Sequence, residues 1–298
     1  MRLPLTARIT ALAGVAALTL AACGGGEDPS GETIIVGSAN FTENQILAEI
    51  YAQALEAEGV TVERRLNIGS RETYFPGLED GSIDLIPDYT GVLLQFVNPE
   101  ATETGSDEVY AALPGALPEG LVVLDKAEAE NKDAVVVTRE TADRLGVTSI
   151  ADLAPNCGEL VFGGPPEFQE RPDGIPGIAE TYGCTFASYL PLDAGGPLTV
   201  AALRDGDVQA ANLFTTDPAI EANDFVVLED PQNNFAAQNV VPLINEAKAS
   251  DVVREKLNAV QARLTTESLI EINTEAASDT RPPVDVVAKD WLTANGLA

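Results

Sequence analysis

The sequence predicts an α/β protein built from two units, with a ligand bound between them. A β-α-β-α-β alternation runs from Thr33 to Ile86, which is the pattern of a parallel sheet with crossover helices. A second α/β unit begins at Arg139. Because ligands favour domain interfaces and the carboxyl ends of parallel strands, the junction of the two units is the expected binding site.

Apolar periodicity and turn residues define the elements of the first unit. A buried strand at 33–37 precedes a helix that Thr42 opens, with Gln45 three positions on in a capping-box pattern, and Gly59 ends this helix. Residues 97–120, rich in proline, glycine and acidic residues, are predicted to be a long surface connection. The other predicted elements are a strand at 61–66, a helix at 72–80 that contains Pro76, and a strand at 83–86.

The rest of the chain alternates between strands and helices and then becomes helical. Further strands are predicted at 121–124, 134–138, 159–162, 210–214 and 239–244. Further helices are predicted at 139–145, from near Ser149, after Asp173 with Pro176 in the first turn, and at 199–204, 251–264, 266–277 and 284–294.

The chain opens with an export signal. Two arginines precede an apolar run at 9–20, which is too short to span a bilayer of about 30 Å, and small residues lead from it to Cys23. We interpret residues 1–22 as a signal peptide, Cys23 as a lipidated first residue, and residues 23–32 as a flexible tether. An ordinary secretory signal with an incidental cysteine is the alternative. The mature protein is expected to be extracytoplasmic and lipid-anchored to the cell membrane.

Composition restricts the function further. Without residues 1–22 the chain has 15 basic and 47 acidic residues, a net charge of −32, and no basic patch that would hold nucleic acid. The acidic surface favours solubility and could also attract cationic solutes. The absence of histidine excludes Ser-His and Cys-His catalysis. No catalytic residue, metal or cofactor is therefore predicted.

Two cysteines remain in the mature chain after Cys23. Cys157 and Cys184 form an even pair in an exported protein, which predicts a disulfide worth roughly 3 kcal/mol on the chain-entropy model. Two cysteines cannot form a structural zinc site unaided.

Five segments together are typical of one family. They are VGSANFTENQ at 36–45, NIGS at 67–70, GSIDLIPDYTG at 81–91, GPPEFQERPDG at 164–174 and FTTDP at 214–218. In this order and spacing they resemble the substrate-binding lipoproteins of glycine betaine, choline and other osmoprotectant ABC importers. The resemblance covers the chain from about residue 33 to its end.

The resemblance implies a two-lobed type II periplasmic-binding fold whose ligand cleft closes between the lobes. Residues 33–133 and 239–298 would form the first lobe and residues 134–238 the second, with two crossing strands as the hinge. The protein would be a monomer that delivers a small-molecule solute to an ABC permease driven by a separate ATPase. It would have no enzymatic activity.

The resemblance also indicates the pocket. Relatives that bind betaine or choline hold the quaternary ammonium in a cage of tyrosine faces through cation–π attraction. Tyr89 matches one cage position, whereas the other three fall on Asp133, Ile175 and Gln238. Ala39 replaces one basic residue of the family site. A modified cage with one or two aromatic walls is therefore expected.

The predicted ligand-binding residues combine ring faces with hydrogen-bonding groups. Tyr89 and Phe168 would stack on the ligand, Asp133 would pair with a cationic group, and Arg171 keeps the second basic position of the family. The complete predicted set is Asn40, Phe41, Ser70, Tyr89, Asp133, Phe168, Arg171, Thr216, Asp217 and Gln238.

Structural roles are the alternatives for several of these side chains. Tyr89 or Phe168 could belong to the core, Arg171 could be a surface ion-pair partner, and Asp217 could cap a helix. Asp84 and Asp88 resemble a paired-carboxylate site, but structural or solvated roles are favoured for both. Thr42 and Gln45 are assigned to the helix cap.

The leading functional hypothesis is an importer component that binds a quaternary-ammonium osmolyte weakly, because three of the four cage positions are not aromatic. Within the same scaffold, an aromatic or polyhydroxylated compound is the alternative ligand. A sensory lipoprotein without transport is another alternative. A secreted hydrolase would require two acids about 5 to 9.5 Å apart across a cleft.

Overall fold

Two five-stranded sheets organise the computed structural model of the protein, in which residues 33–298 are described. The predicted signal peptide, the lipidation site at Cys23 and the tether to residue 32 lie outside the described residues. Within 33–298, none of the helices is long and apolar enough to cross a bilayer.

The first sheet has the strand order β2-β1-β3-β10-β4. Strand β1 pairs in parallel with β2 and β3, which confirms the predicted crossover arrangement, whereas β10 is antiparallel to β3 and β4. Its strands are β1 Ile34–Ala39, β2 Val62–Gly69, β3 Leu85–Tyr89, β4 Leu121–Val123 and β10 Val240–Asn245.

The second sheet has the order β7-β6-β8-β5-β9. Strand β6 is parallel to β7 and β8, and β5 is antiparallel to β8 and β9. Its strands are β5 Asp133–Thr138, β6 Val161–Gly164, β7 Ser188–Pro191, β8 Ala210–Phe214 and β9 Phe225–Val227.

Helices cover both sheets. We call the first sheet with α1–α4 and α10–α12 the first lobe, and the second sheet with α5–α9 the second lobe. The helices are α1 Thr42–Ala57, α2 Arg71–Glu79, α3 Thr90–Val97, α4 Ser106–Ala116, α5 Arg139–Leu145, α6 Ile150–Leu153, α7 Ile175–Tyr182, α8 Pro197–Asp205, α9 Ala219–Ala222, α10 Asp251–Gln261, α11 Thr266–Ala277 and α12 Val284–Ala294. Short 3-10 helices occupy Ala154–Glu159, Pro166–Gln169 and Glu246–Lys248.

Helix α1 is the core helix of the first lobe. It packs against the first sheet and against α10, α11 and α12, so its apolar side chains are buried on several faces. Leu47 and Ile50 are fully buried, and Tyr51 accepts a hydrogen bond at its hydroxyl from Gln261 Nε2. Burial of this kind contributes roughly 1.5–3 kcal/mol for each large side chain, which holds the start of α1 in a fixed position.

Two neighbouring chain segments connect the lobes. Glu130 forms an antiparallel bridge with Asn239, and the Asn131 N–H donates to the Gln238 carbonyl at 3.1 Å. Gly91 lies against the returning segment, because a Cβ at this position would stand 2.7 Å from the Ala237 carbonyl oxygen. The glycine therefore lets the first turn of α3 approach the crossing segment.

A disulfide reinforces the second lobe. Cys157 and Cys184 are joined with their Cα atoms 5.4 Å apart, and both are fully buried. The bond ties the 3-10 helix Ala154–Glu159 to the segment that follows α7.

Some predictions of local structure are wrong. The capping box of Thr42 and Gln45 does not form, because the extended Phe41 is the N-cap of α1 and Thr42 already lies in the helix. The predicted connection at 97–120 contains α4, whose Val109 and Leu113 are buried four positions apart. Strand β3 begins at Leu85 and not at residue 83. Four short elements were not predicted, namely α3, β7, α9 and β9.

Candidate functional site

A narrow pocket of about 50 Å³ lies where the two lobes meet. Its walls come from the ends of β1, β3, β5 and β8 and from the segments that follow them. Eight of the ten predicted ligand-binding residues line it, namely Asn40, Phe41, Ser70, Tyr89, Asp133, Phe168, Arg171 and Gln238. A wider cavity of about 310 Å³ adjoins it and shares Arg71, Val92, Glu167 and Arg171.

Aromatic rings from both lobes meet in the pocket. The Phe41 ring, on the first lobe, lies 5.0 Å from the Phe214 ring of the second lobe and 6.0 Å from the Tyr89 ring, measured between centroids. Tyr74 and Phe168 also line the pocket. The expectation of one or two aromatic walls is therefore wrong, because residues distant in sequence bring five aromatic side chains to the site.

Tyr89 is both a wall of the pocket and part of a buried polar network. It ends β3, is 5% exposed, and donates its hydroxyl to Glu43 Oε1 at 2.7 Å. Burial, and then the neighbouring Glu43 carboxylate, raise the pKa of Tyr89 well above its ordinary value. The ring is thus held in one orientation at the pocket edge.

Glu43 is the centre of that network. Its buried carboxylate lies in the first turn of α1, where the helix dipole favours negative charge. It accepts four hydrogen bonds: from Tyr89 Oη and Asn131 Nδ2, both at 2.7 Å, and from Thr216 Oγ1 and Asn273 Nδ2, both at 2.6 Å. A buried carboxylate with this many donors is well satisfied.

Two predicted ligand-binding residues lie outside the pocket. Thr216 is buried and directs its hydroxyl to Glu43. Asp217 accepts the N–H of Ala219, the first residue of α9, at 2.8 Å, so it contacts the start of the helix although Pro218 is the N-cap residue. Burial, with smaller contributions from Glu43 and Asp193, raises the pKa of Asp217 to about 6. The assignment of these two side chains to the pocket is therefore wrong.

An acceptor-rich wall lies at the end of the second sheet. Asp133 accepts from Asn212 Nδ2 at 2.9 Å on Oδ1 and from Gln238 Nε2 at 3.2 Å on Oδ2. All three side chains are buried and line the pocket. The wall presents a carboxylate and an amide oxygen, groups that attract cationic or hydrogen-bond-donating solutes.

Arg71, which lines the pocket, forms a buried ion pair with Asp88 behind it. The Asp88 carboxylate is fully buried and also accepts the Tyr74 hydroxyl at 2.8 Å. Burial acts to lower the pKa of Arg71, but the charge of Asp88 more than offsets this and raises it. Asp84 instead accepts the Ile35 N–H at 2.8 Å. Both aspartates therefore have structural roles.

A second ion pair crosses between the lobes. Arg171 Nε and Nη2 donate to the two Glu72 carboxylate oxygens at 2.9 and 3.0 Å. Burial acts to raise the pKa of Glu72, but the hydrogen bonds and charge of Arg171 outweigh it and lower the pKa to about 2. Arg171 therefore lines the pocket and also joins the two lobes at its edge through an ion pair.

Phe168 belongs mainly to the core of the second lobe. Its ring stacks on Phe162 at 5.7 Å and lies 6.3 Å from Phe235, and the side chain is 2% exposed. Ile175, which matches one position of the family's tyrosine cage, does not line the pocket. Ala39, which replaces a basic residue of the family site, does line it.

Sequence reasoning missed several pocket residues, of which Asn44, Arg71, Tyr74, Asn131, Asn212 and Phe214 are the main ones. Strand alternation connects two of them, because Asn212 lies two residues before Phe214 on β8 and shares its face. Asn44 lies inside the segment 36–45, where its amide joins the Ala39 N–H to the Pro87 carbonyl.

Comparison with known proteins agrees with this arrangement. A family model, OpuAC, described as the substrate binding domain of ABC-type glycine betaine transport systems, matches residues 32–294. The chain belongs to this family. A glycine-betaine-binding protein of Pseudomonas aeruginosa is 30% identical over 229 residues, which cover 72% of each chain. The glycine betaine-binding protein YehZ of Escherichia coli is 28% identical over 275 residues, covering 88% of this chain and 90% of the relative.

The fold of this OpuAC-family chain also matches solved structures. A glycine betaine/carnitine/choline ABC transporter protein aligns with a TM-score of 0.70 and 22% identity, over 89% of this chain and 99% of the other. The two-lobed type II periplasmic-binding fold is therefore confirmed. So is the predicted role as a substrate-binding protein of a glycine betaine/choline-type ABC transporter.

Proposed function

We propose that the chain captures a small quaternary-ammonium osmolyte outside the cytoplasm and delivers it to an ABC permease driven by a separate ATPase. The observation that carries this proposal is the contact of Phe41 with Tyr89 and Phe214, in a pocket that also contains the Asp133 carboxylate. Ring faces attract cations by roughly 0.5–2 kcal/mol each. A carboxylate close to the rings adds long-range attraction for positive charge.

The names of relatives support the same ligand class. Two relatives that together match most of this chain are named for glycine betaine binding. The pocket differs from a four-tyrosine cage, because Phe41 and Phe214 supply rings while Asp133 and Gln238 occupy former cage positions. We therefore propose the same transport role with a modified cage.

Closure of the lobes would enclose the ligand. We assign residues 33–133 and 239–298 to the first lobe and 134–238 to the second, because the strands of each sheet fall within these ranges apart from Asp133, the first residue of β5. The Arg171–Glu72 ion pair and the Glu43–Thr216 hydrogen bond cross between them. Both contacts would favour the closed arrangement.

The remaining assignments follow from the sequence. We propose that Cys23 carries the lipid that anchors the protein to the cell membrane, that the protein acts as a monomer, and that it catalyses no reaction. The buried structural roles of Asp84 and Asp88 support the last point, since neither carboxylate is left available in the cleft.

An aromatic or polyhydroxylated solute is the second candidate. Of the four cage positions, Tyr89 alone carries an aromatic side chain, and the non-aromatic Asp133 and Gln238 line the pocket in place of two others. A ligand with a larger polar body would use these groups for hydrogen bonds.

Titration calorimetry on residues 24–298 tests the proposal, with glycine betaine, choline, carnitine and several aromatic and polyhydroxylated compounds as ligands. We expect saturable binding of a quaternary ammonium, weakened on the order of 10-fold by Tyr89→Ala or by Phe214→Ala. Tyr110→Ala, which truncates a half-buried ring outside the pocket, should leave affinity unchanged. Binding confined to aromatic or polyhydroxylated compounds would favour the second candidate.

A further inference from the structure

One polar atom of the pocket wall has an unused hydrogen-bonding position. Asn212 is fully buried on β8, and its Oδ1 atom finds no hydrogen-bond partner among residues 33–298. Its Nδ2 atom donates to Asp133 Oδ1 at 2.9 Å, so the other end of the same amide is engaged. A buried acceptor left without a donor is uncommon in folded proteins, and in a binding pocket a ligand is one source of the missing donor.

The orientation of the Asn212 amide follows from its neighbour. Rotation by 180° would place the amide oxygen against the Asp133 carboxylate, where two acceptors would repel each other. The amide nitrogen must therefore face Asp133, which leaves Oδ1 as the open position. Asp133 is fixed in turn by Gln238 Nε2 at 3.2 Å on its other oxygen.

The basic groups of the pocket do not fill this position. Arg71 is paired with Asp88 and Arg171 with Glu72, so both guanidinium groups are committed to carboxylates. The wall formed by Asp133 and Asn212 thus offers acceptors to whatever enters the pocket.

We propose that Asn212 Oδ1 is a specificity-determining acceptor. The preferred solute carries an N–H or O–H group that donates a hydrogen bond to this oxygen, beside the Asp133 carboxylate. This inference deepens the proposed function and rests on it. A fully methylated ammonium without a hydroxyl offers no such donor, and its binding would bury Oδ1 unpaired. The structure therefore predicts discrimination among ammonium solutes by their donor and not by their charge.

Two ligand pairs that differ in a single donor test this inference by titration calorimetry. Choline is compared with its methyl ether, and dimethylglycine, which keeps one N–H on its ammonium at neutral pH, with glycine betaine. We expect the donor-bearing member of a pair to bind on the order of 10-fold to 100-fold more tightly, because its partner leaves a buried acceptor unsatisfied.

Two variants assign the preference to the proposed atom. Asn212→Leu removes the acceptor at similar volume, and the affinity ratio within each pair should fall towards one. Gln261→Leu removes the other buried acceptor found without a partner in residues 33–298, which lies outside the pocket beside Tyr51, and should leave the ratio unchanged. If Asn212→Leu does not fold, equal affinities within both ligand pairs for the wild-type protein would still overturn the proposal.

The outcomes separate this inference from the proposed function. Binding of both members with equal affinity, or an unchanged ratio in Asn212→Leu, would overturn the acceptor role and leave the transport role standing. Failure of all four compounds to bind would instead overturn the quaternary-ammonium proposal, and this inference with it.

Discussion

Thr216 donates its hydroxyl to the Glu43 carboxylate at 2.6 Å, and this hydrogen bond joins the second lobe to the first turn of α1. The other oxygen of the same carboxylate accepts the hydroxyl of Tyr89, a ring at the pocket edge. The position of one lobe relative to the other is therefore connected to the orientation of a pocket tyrosine through a single buried carboxylate.

Removal of this hydroxyl should weaken the protein. Thr216→Val keeps the shape of the side chain but deprives Glu43 of one of its four donors. Since a hydrogen bond to a charged group contributes about 1.5–3 kcal/mol, we expect the free energy of unfolding to fall by roughly that amount. Urea denaturation followed by circular dichroism measures it.

The same substitution on an exposed threonine provides the control. Thr293→Val on α12 should change the free energy of unfolding by less than about 0.5 kcal/mol. A loss for Thr216→Val no larger than that of the control would contradict the role assigned to the Glu43 contact.

The Arg171–Glu72 pair should favour ligand binding by holding the lobes together. Both side chains are partly exposed, at 21% and 41%, so solvent screening limits the pair to about 1 kcal/mol or less. A double-mutant cycle with Arg171→Met and Glu72→Gln, measured as ligand affinity by calorimetry, should give a coupling energy of this size.

A pair within one strand supplies the comparison. Arg65 and Glu63 on β2 also form an ion pair, but it does not connect the lobes. The cycle with Arg65→Met and Glu63→Gln should show no coupling to ligand affinity. Equal coupling for the two pairs would argue against a role in closure.

Asp173 should make the protein more stable in mild acid. Burial, and then the charge of Asp133, raise its pKa from 3.8 to about 6 against the opposing effect of Arg171. Between these values the folded state holds a proton that the unfolded state has lost, so this contribution to stability grows as the pH falls from about 6 to 4. At pH 7 the ionised group costs about 1–3 kcal/mol.

Asp173→Asn therefore should be more stable than the wild type at pH 7, and the advantage should disappear near pH 4. Thermal unfolding across this range measures the difference between the two proteins. The thermal stability of Asp279→Asn, a substitution at an exposed position, should change with pH in the same way as that of the wild type. A constant difference between Asp173→Asn and the wild type at all pH values would contradict the prediction.

Glu72 contributes to the acid limb of the same profile. Its pKa in the folded protein is lowered from 4.5 to about 2, so its contribution is complete above about 4.5 and is lost as the pH falls towards 2. Glu72→Gln should flatten the loss of stability below pH 4.5. An acid limb of unchanged steepness in that variant would show that other carboxylates control it.

The Cys157–Cys184 bond should stabilise the second lobe in particular. On the chain-entropy model, a loop closed over a separation of 27 residues is worth roughly 3 to 4 kcal/mol. The double variant Cys157→Ala and Cys184→Ala should unfold at lower urea concentration. Hydrogen exchange should show the loss of protection in the second sheet, and an equal loss in the first sheet would refute a local effect.

The long periodic elements could be predicted from sequence. Helices α11 and α12 and strand β8 have the predicted bounds, because their apolar residues recur at a constant period and their ends carry clear start and stop residues. The missed elements are short or mask their pattern. Helix α4 has only two buried apolar residues, and they lie within an acidic segment. Strand β7 has mostly exposed side chains.

The pocket could be predicted only in part, because its walls depend on contacts between distant segments. The segments 36–45 and 81–91 led to Phe41 and Tyr89, both of which line it. The position of Arg71 in the pocket wall depends on its ion pair with Asp88. The position of Asn212 depends on its hydrogen bond to Asp133, 79 residues away in the chain. Neither contact produces a local sequence pattern from which it could be predicted.

Strand β10 lies in the interior of the first sheet, between β3 and β4, although the chain builds it after every strand of the second sheet. During synthesis the middle of the first sheet is therefore missing until residues 240–245 leave the ribosome. The antiparallel pairing of β10 with β3 then closes a loop of about 150 residues. Such non-local pairing slows folding. The order of synthesis thus lets the inserted lobe assemble early, and the lobe that encloses it in the sequence is completed last.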